Sequence, residues 1–321
     1  MIKSVKISNE NDFLFVPFEN AQEEPYFITN IEGLGPVNAT VNNSENSFVD
    51  GGEHISSHIG IRPITIYIQY NNDANETVEE LRDRIVNLAS VKKEIRLDIE
   101  TSYKKYFIYG IVEKNEQVIF SYTCGAVISM LCPYPFFRTQ ERATATTSLE
   151  KGLTFPIKSN ENKFINEVIN AYYIDNNSTQ ICFPTIRIKF IDNGAALIEK
   201  GIRKLRINYN YSSDVNSMLL NFGSINSSGT FNYYDWVSNI FGGDELIIET
   251  EPGKKSIRLY RSDVEIKNIL YMLDDFKYWI SIVPDSNRNS SISFDFLNSS
   301  NAKTSLLCLY NISWYERYES I

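Results

Sequence analysis

The sequence predicts a mainly β protein of two domains, an α+β first half followed by a half made of strands. Three observations carry this. Apolar and polar residues alternate through much of the chain, as in Ile64, Ile66 and Ile68 against Thr65, Tyr67 and Gln69, which is the period of half-buried strands. The chain holds 20 Tyr and 19 Phe, residues that suit a pleated surface. Helical spacing occurs in one segment, which begins at Thr77. At 321 residues the chain also exceeds the roughly 250 to 300 residues at which single cores stop growing.

Residues 1–30 read as short strands through Val5 and Ile7, then Phe13, Phe15 and Phe18, then Tyr26 to Ile28, kept short by Pro17 and Pro25. In the next stretch, Ile31-Glu32-Gly33-Leu34-Gly35-Pro36, the two glycines read as a turn. A phosphate cradle would need a helix directly behind them. Val37, Ala39 and Val41 alternate again, and 42–47 is polar and expected as a loop. Asp50, Gly51 and Gly52 form a bend before an arm that ends at Gly60 and Ile61, and Arg62 precedes the strand of Ile64, Ile66 and Ile68. Thr77 and Glu80 make a capping box for a helix whose apolar face is Val78, Leu81, Ile85 and Leu88. Strands follow through Ile95 to Ile99, Tyr106 to Val112 and Val118 to Leu131, with a turn expected at 114–116.

The run Cys132-Pro133-Tyr134-Pro135 should stop the last of these strands, because proline cannot continue a ladder. The first domain is therefore placed at 1–138, a linker or elaboration at 139–170 and the second domain at 171–321. Within the linker, 138–147 is polar and 149–168 resists assignment. From Tyr172 onward the pattern shows strands alone, punctuated by turns such as Gly242-Gly243-Asp244 and Pro252-Gly253. Short strands at regular spacing indicate a β-sandwich or jelly roll. No internal repeat is visible.

Composition excludes several function classes. A net charge of −9 lacks the basic footprint that phosphate binding needs, so no specific nucleic-acid binding is expected. No run reaches the ~18 apolar residues of a membrane span, and 1–11 has no secretion signal. Cys124, Cys132, Cys182 and Cys308 have no metal-ligand spacing and read as buried thiols. His54 and His58 are four apart, but nearby glycines favour a loop over a metal-binding helix. No metal, cofactor or catalytic residue is expected. Asp274-Asp275 and Asp244-Glu245 are paired carboxylates that read as solvated turn residues. Trp236, Trp279 and Trp314 are candidates for stacking on a saccharide, set against core or interface roles.

Taken together, the order of the Gly33-x-Gly35-Pro36 segment, Asp50-Gly51, Arg62 before an alternating strand, the capped helix, the Pro133/Pro135 stop and the Gly243-Asp244 turn resembles the siphophage distal tail protein family. The resemblance implies a split β-barrel N-terminal domain with one helix and an extended hairpin, and a galectin-like C-terminal β-sandwich. It implies a homo-oligomeric ring, a hexamer, at the virion tail tip, assembled in the bacterial host cytoplasm. Its partners would be the tail tube protein, the tail-associated hub protein, the tape measure protein and a receptor-binding protein, around an open channel for DNA. On this reading Gly33, Gly35, Asp50, Gly51, Gly52, Arg62, Pro133, Pro135, Gly243 and Asp244 shape the backbone or the subunit contacts, without catalysis. The alternatives are a saccharide-binding module carried by the sandwich and, more remotely, a hydrolase. The segments 149–168 and 191–204 are expected as additions to the plainest form of the family.

Overall fold

The computed structural model describes residues 1–18, 24–45, 52–71, 76–118, 124–147, 171–211 and 214–321. The first strands are β1 (Ile2–Ser8), β2 (Phe13–Pro17), β3 (Tyr26–Glu32), β4 (Ala39–Glu45), β5 (Gly52–Ile59) and β6 (Arg62–Tyr70), followed by helix α1 (Val78–Leu88). After it come β7 (Glu94–Thr101), β8 (Lys105–Val118), β9 (Gly125–Cys132), β10 (Phe137–Thr139), β11 (Arg142–Thr147), β12 (Ala171–Asn176) and β13 (Thr185–Phe190). Then follow α2 (Gly194–Glu199), β14 (Ile202–Tyr211), β15 (Asp214–Asn221), β16 (Gly223–Ile225), β17 (Phe231–Tyr233) and α3 (Asp235–Ser238). The chain continues with β18 (Glu245–Glu249), β19 (Ser256–Arg261), β20 (Val264–Asn268), β21 (Asp285–Asn298), β22 (Lys303–Thr304), β23 (Cys308–Trp314) and β24 (Arg317–Tyr318). Two compact units result: Met1–Gln140 with Arg317–Ile321, and Glu141–Glu316.

Unit 1 is an antiparallel sheet in the order β2-β1-β7-β8-β9-β6-β3, with β10 joining β8 and β24 joining β10. Its edge strands β2 and β3 touch, so the sheet curls into a nearly closed barrel. The inward residues of β6, Ile64, Ile66, Ile68 and Tyr70, are buried with Leu97, Ile128 and Met130 from neighbouring strands. Helix α1 plugs this interior with Leu81, Ile85 and Leu88. Its start is held by the expected capping box, with Thr77 and Glu80 bonding each other's backbone N–H. At its other end, carbonyls without helical partners receive side-chain amides: Asn9 donates to the Leu88 carbonyl (3.0 Å) and Asn115 to that of Ala89 (3.0 Å).

Unit 2 pairs a six-stranded sheet, β11-β23-β13-β18-β19-β20, with a five-stranded one built on β12-β21-β14-β15. Both inner faces feed one core. Ile186, Ile188, Leu246, Ile248 and Ile312 come from the first sheet, and Ile174, Leu205, Ile207, Met218 and Leu220 from the second. Phe294 of one sheet stacks on Tyr310 of the other at 4.3 Å, as in a β-sandwich.

Several expectations need correction. The polar stretch after Val41 is strand as far as Glu45, because β4 pairs with β5 from Ala39↔Ile59 to Glu45↔Gly52. Past Val41 the residues are polar on both faces, so no apolar alternation reveals the rest of the strand. His54 and His58 likewise lie on a strand and not in a loop. No turn forms at 114–116. β8 runs on to Val118 through a bulge between Val112 and Lys114, and Gly125 to Cys132 make the separate strand β9. The polar stretch 138–147 is largely β10 and β11, the latter paired along β23. In the second half, α2 and α3 interrupt the strands, and α2 accounts for part of 191–204. Residues 149–168 lie outside the described residues.

All four cysteines are thiols, with Cys132, Cys182 and Cys308 buried and Cys124 half-buried. Burial pushes the Cys132 thiol up to about 12, though Arg62 nearby pulls the other way, and burial also raises Cys308. Raised thiols stay protonated at neutral pH and are poor nucleophiles. Alkylation of the native protein at pH 7 should therefore modify Cys124 ahead of the other three, and denaturant should make all four react. Peptide mapping by mass spectrometry checks this, and fast native labelling of Cys132 would contradict the burial described.

Candidate functional site

The inward face of β6 reads Arg62, Ile64, Ile66, Ile68, Tyr70. An arginine thus takes the first core-facing position of an otherwise apolar row, and it is 2% exposed. A guanidinium withdrawn from water must find acceptors, and this one finds main-chain carbonyls. Its Nε donates to the Pro135 carbonyl, Nη1 to those of Gly33 and Gly35 (2.8 Å for the second), and Nη2 to that of Glu319. The Phe137 ring lies beneath it, 4.6 Å from the guanidinium carbon. Burial lowers the Arg62 pKa from the usual arginine value, yet a guanidinium is basic enough to stay charged at neutral pH.

Each acceptor is placed by a local device. Gly33 has φ +90°, and a Cβ there would sit 2.3 Å from the Pro63 carbonyl oxygen. Both conformation and space therefore demand glycine. A Cβ on Gly35 would meet nothing within 4 Å, so its role is not steric. β9 stops at Cys132, whose last register partner is Arg62, and the two prolines then turn the Pro135 carbonyl toward the guanidinium. The last acceptor comes from far along the sequence. β24 pairs with β10 through Phe137↔Tyr318 and Arg138↔Arg317. Beyond it the Ile321 N–H donates to the Leu34 carbonyl at 3.3 Å.

Arg62, Gly33, Gly35 and Pro135 thus converge. Pro133 is an exposed neighbour in the same turn, Gly52 opens β5, and Asp50 and Gly51 lie outside the described residues. Glu319 and Phe137 were missed. An arginine in phase with three core isoleucines is the signal that such acceptors had to exist.

Gly243 and Asp244 belong to unit 2 and serve a second tie. The Asp244 side chain is 1% exposed and not solvated as expected. It accepts a two-pronged pair from Arg261, 2.8 Å from Nε and 2.7 Å from Nη2, and a third bond from the Phe241 N–H at 2.9 Å. Burial alone would raise its pKa, but the arginine fork and the N–H outweigh it and hold the carboxyl below its ordinary value. Gly243 adopts φ +103° to turn the chain into β18.

The remaining candidates acquire structural partners. Asp274 accepts from Asn221 (2.9 Å) and Asp275 from the Lys277 N–H (2.8 Å). The bulge that separates Asn42↔Ser56 from Asn43↔His54 puts His58 and His54 on opposite faces of the hairpin, and no metal-competent cluster occurs among the described residues. Trp236 and Trp314 are buried in the sandwich core, which closes their faces to a sugar. Half-buried Trp279 donates its N–H to the Phe276 carbonyl (3.0 Å) and lies under Lys255 Nζ, 5.2 Å from its ring centroid.

Unit 1 also exposes apolar surface. Every described side chain of the β4–β5 hairpin from Ala39 to His58 is exposed, including Val41 and Ile55. On edge strand β2 and just past it, Phe13, Phe15 and Phe18 are 58%, 48% and 39% exposed. Exposed sheet edges and aromatics are surface on which another chain can pair or pack.

No protein-family model matches this chain, and no curated protein sequence does. Solved structures do. The SPP1 Dit (gp 19.1) protein, described as a paradigm of the hub adsorption apparatus in Gram-positive-infecting phages, is similar at TM-score 0.59 and 12% identity over 98% of both chains. A chain of the phage P2 baseplate in its activated conformation with Ca is similar at TM-score 0.51 and 12% identity over 100% of both chains. The corresponding structure with Sr gives 0.50 and 13% over 98% of both. The fold is shared with these phage hub and baseplate chains.

Arg62→Lys should destabilise unit 1 by roughly 3 kcal/mol or more, because one ammonium cannot fork to four carbonyls. Gly33→Ala should cost about 1 to 3 kcal/mol, and Gly35→Ala less than about 0.5 kcal/mol. Hydrogen exchange at β6 and β9 amides measures each, and equal effects for the two alanines would contradict the geometry. A depressed carboxyl stabilises above its unfolded pKa, and that contribution is lost as pH falls through the folded value. The unfolding midpoint of unit 2 should therefore drop as pH falls below about 4. Asp244→Asn should flatten that part of the profile, and an unchanged acid limb would exclude Asp244 as its source.

Proposed function

We propose that this chain is the structural adaptor of a phage tail tip, with copies of unit 1 closing into a ring, a hexamer, around an open channel. The ring joins the tail tube to a tail-associated hub protein and to receptor-binding parts, lets the tape measure protein and then DNA pass, and performs no catalysis. The assembled protein belongs to the virion, and assembly takes place in the host cytoplasm.

The observation that carries this reading is the likeness to the SPP1 Dit protein along nearly the full length of both chains. The exposed hairpin and phenylalanine edge of unit 1 support it. A two-stranded hairpin is marginal by itself in water, and a ring built from one repeated contact supplies its cover through a neighbouring copy. A net charge of −9 suits a conduit that lets DNA slide past without gripping it. The saccharide-binding alternative loses support with the burial of Trp236 and Trp314 and the lysine above Trp279. A glycan array with the full chain tests it directly.

Native mass spectrometry of the full chain should give a closed multiple of 36.9 kDa, with six copies expected, either alone or once the tail tube protein is added. A monomer under both conditions would overturn the ring.

A further inference from the structure

On the outward face of the six-stranded sheet in unit 2, strands β13, β18 and β19 set nine side chains in a grid. The registers Arg187↔Ile247 and Ile247↔Arg258 put an arginine on each side of Ile247 across the sheet. Along β18, Glu245 and Glu249 stand two residues before and after it. The result is a cross, Arg-Ile-Arg in one direction and Glu-Ile-Glu in the other. Arginine positions lie about 4.8 Å from the centre and glutamate positions about 6.7 Å, from strand spacing and rise. The corners are Thr185 and Ser256 beside Glu249, and Lys189 and Tyr260 beside Glu245.

This face is open. Arg187 and Arg258 side chains are 45% and 39% exposed, and their ion pairs within the sheet are long, 3.5 Å to Glu245 and 3.4 Å to Glu265. Ile247 is half-buried. A depression of about 280 Å³ runs across the centre, with Ile247 in its floor.

We propose that this face stacks on the same face of a second copy, the two sheets crossed near a right angle, with Arg187 and Arg258 of each copy paired to Glu249 and Glu245 of the other. The symmetry follows from the pattern. A two-fold axis lying in the interface along the Thr185-Ile247-Tyr260 diagonal exchanges the two arms of the cross. It sets Arg187 on Glu249, Arg258 on Glu245, Lys189 on Ser256, and Thr185, Ile247 and Tyr260 each on its own equivalent. The other diagonal would set Lys189 on Lys189, a like-charge clash, so one orientation is selected. Crossed sheet packing is an established geometry for β faces, and a self-complementary patch is what a two-fold interface requires. This contact lies in unit 2 and does not depend on ring closure through unit 1.

The test is sedimentation velocity of the full chain across a concentration series at about 50 mM and about 500 mM salt, a range over which screening of charge pairs changes strongly. The wild type should show a species of twice the mass of its basic assembly, whether monomer or ring, and high salt should weaken it about tenfold or more. Arg187→Glu with Arg258→Glu should abolish the doubling, as should Glu245→Arg with Glu249→Arg, while an equimolar mixture of the two variants should restore it. Arg187→Gln with Arg258→Gln repeats the loss with milder side chains, and circular dichroism confirms folding. A wild type that never doubles, variants that double as it does, or a mixture that fails to re-form the doubled species would overturn the proposal.

Discussion

The Arg62 guanidinium is the constraint on which unit 1 depends. Placing a permanent charge at the mouth of an apolar barrel is costly unless its N–H groups are met. Here they are met by backbone from three segments distant in sequence, so each segment must be held at once. Gly33 keeps its turn tight against β6, the prolines after Cys132 present a carbonyl, and the 317–321 segment brings the last acceptor. A side-chain carboxylate could have neutralised the arginine from a single point. Main-chain carbonyls from several loops instead make it a clasp whose opening would loosen all of them.

Unit 2 solves a similar problem with opposite chemistry. Asp244 is the buried charge there, and an arginine on the next strand supplies the fork. Both ties sit where a strand meets a glycine-bearing turn. The two also share an aromatic floor, Phe137 under Arg62 and Phe241 under Arg261 at 4.3 Å, which covers one face of each guanidinium.

What the sequence disclosed follows the physics of burial. Strands with one core face, such as β6, β7 and β13, announce themselves by alternation, and α1 by its capping box and its Leu81, Ile85, Leu88 stripe. The hairpin arm does so only at its start, through Ala39 and Val41; beyond them both faces are polar and no period separates them, so 42–45 resembled a loop. Helices α2 and α3 are too short for a period to register. Of the Arg62 cluster, Gly33, Gly35, Arg62 and Pro135 stood out as local oddities. Glu319 could not, because a carbonyl acceptor can belong to any residue and nothing in a side chain advertises it. The burial of Asp244 escaped for a related reason: an Asp after Gly-Gly reads as a solvated turn until Arg261 is found 17 residues later.

The separation of Arg62 from Glu319 also matters during translation. All of Glu141–Glu316 must leave the ribosome before Arg317–Ile321 can return to the first unit, a wait of roughly ten to thirty seconds at ordinary elongation rates. Through that interval the nascent barrel lacks β24 and one of the carbonyls that hold its arginine. Vectorial synthesis therefore leaves the barrel without its last strand until the whole sandwich segment has been made, and the two units reach completion almost together, because β23 of the sandwich and β24 of the barrel are neighbours in sequence.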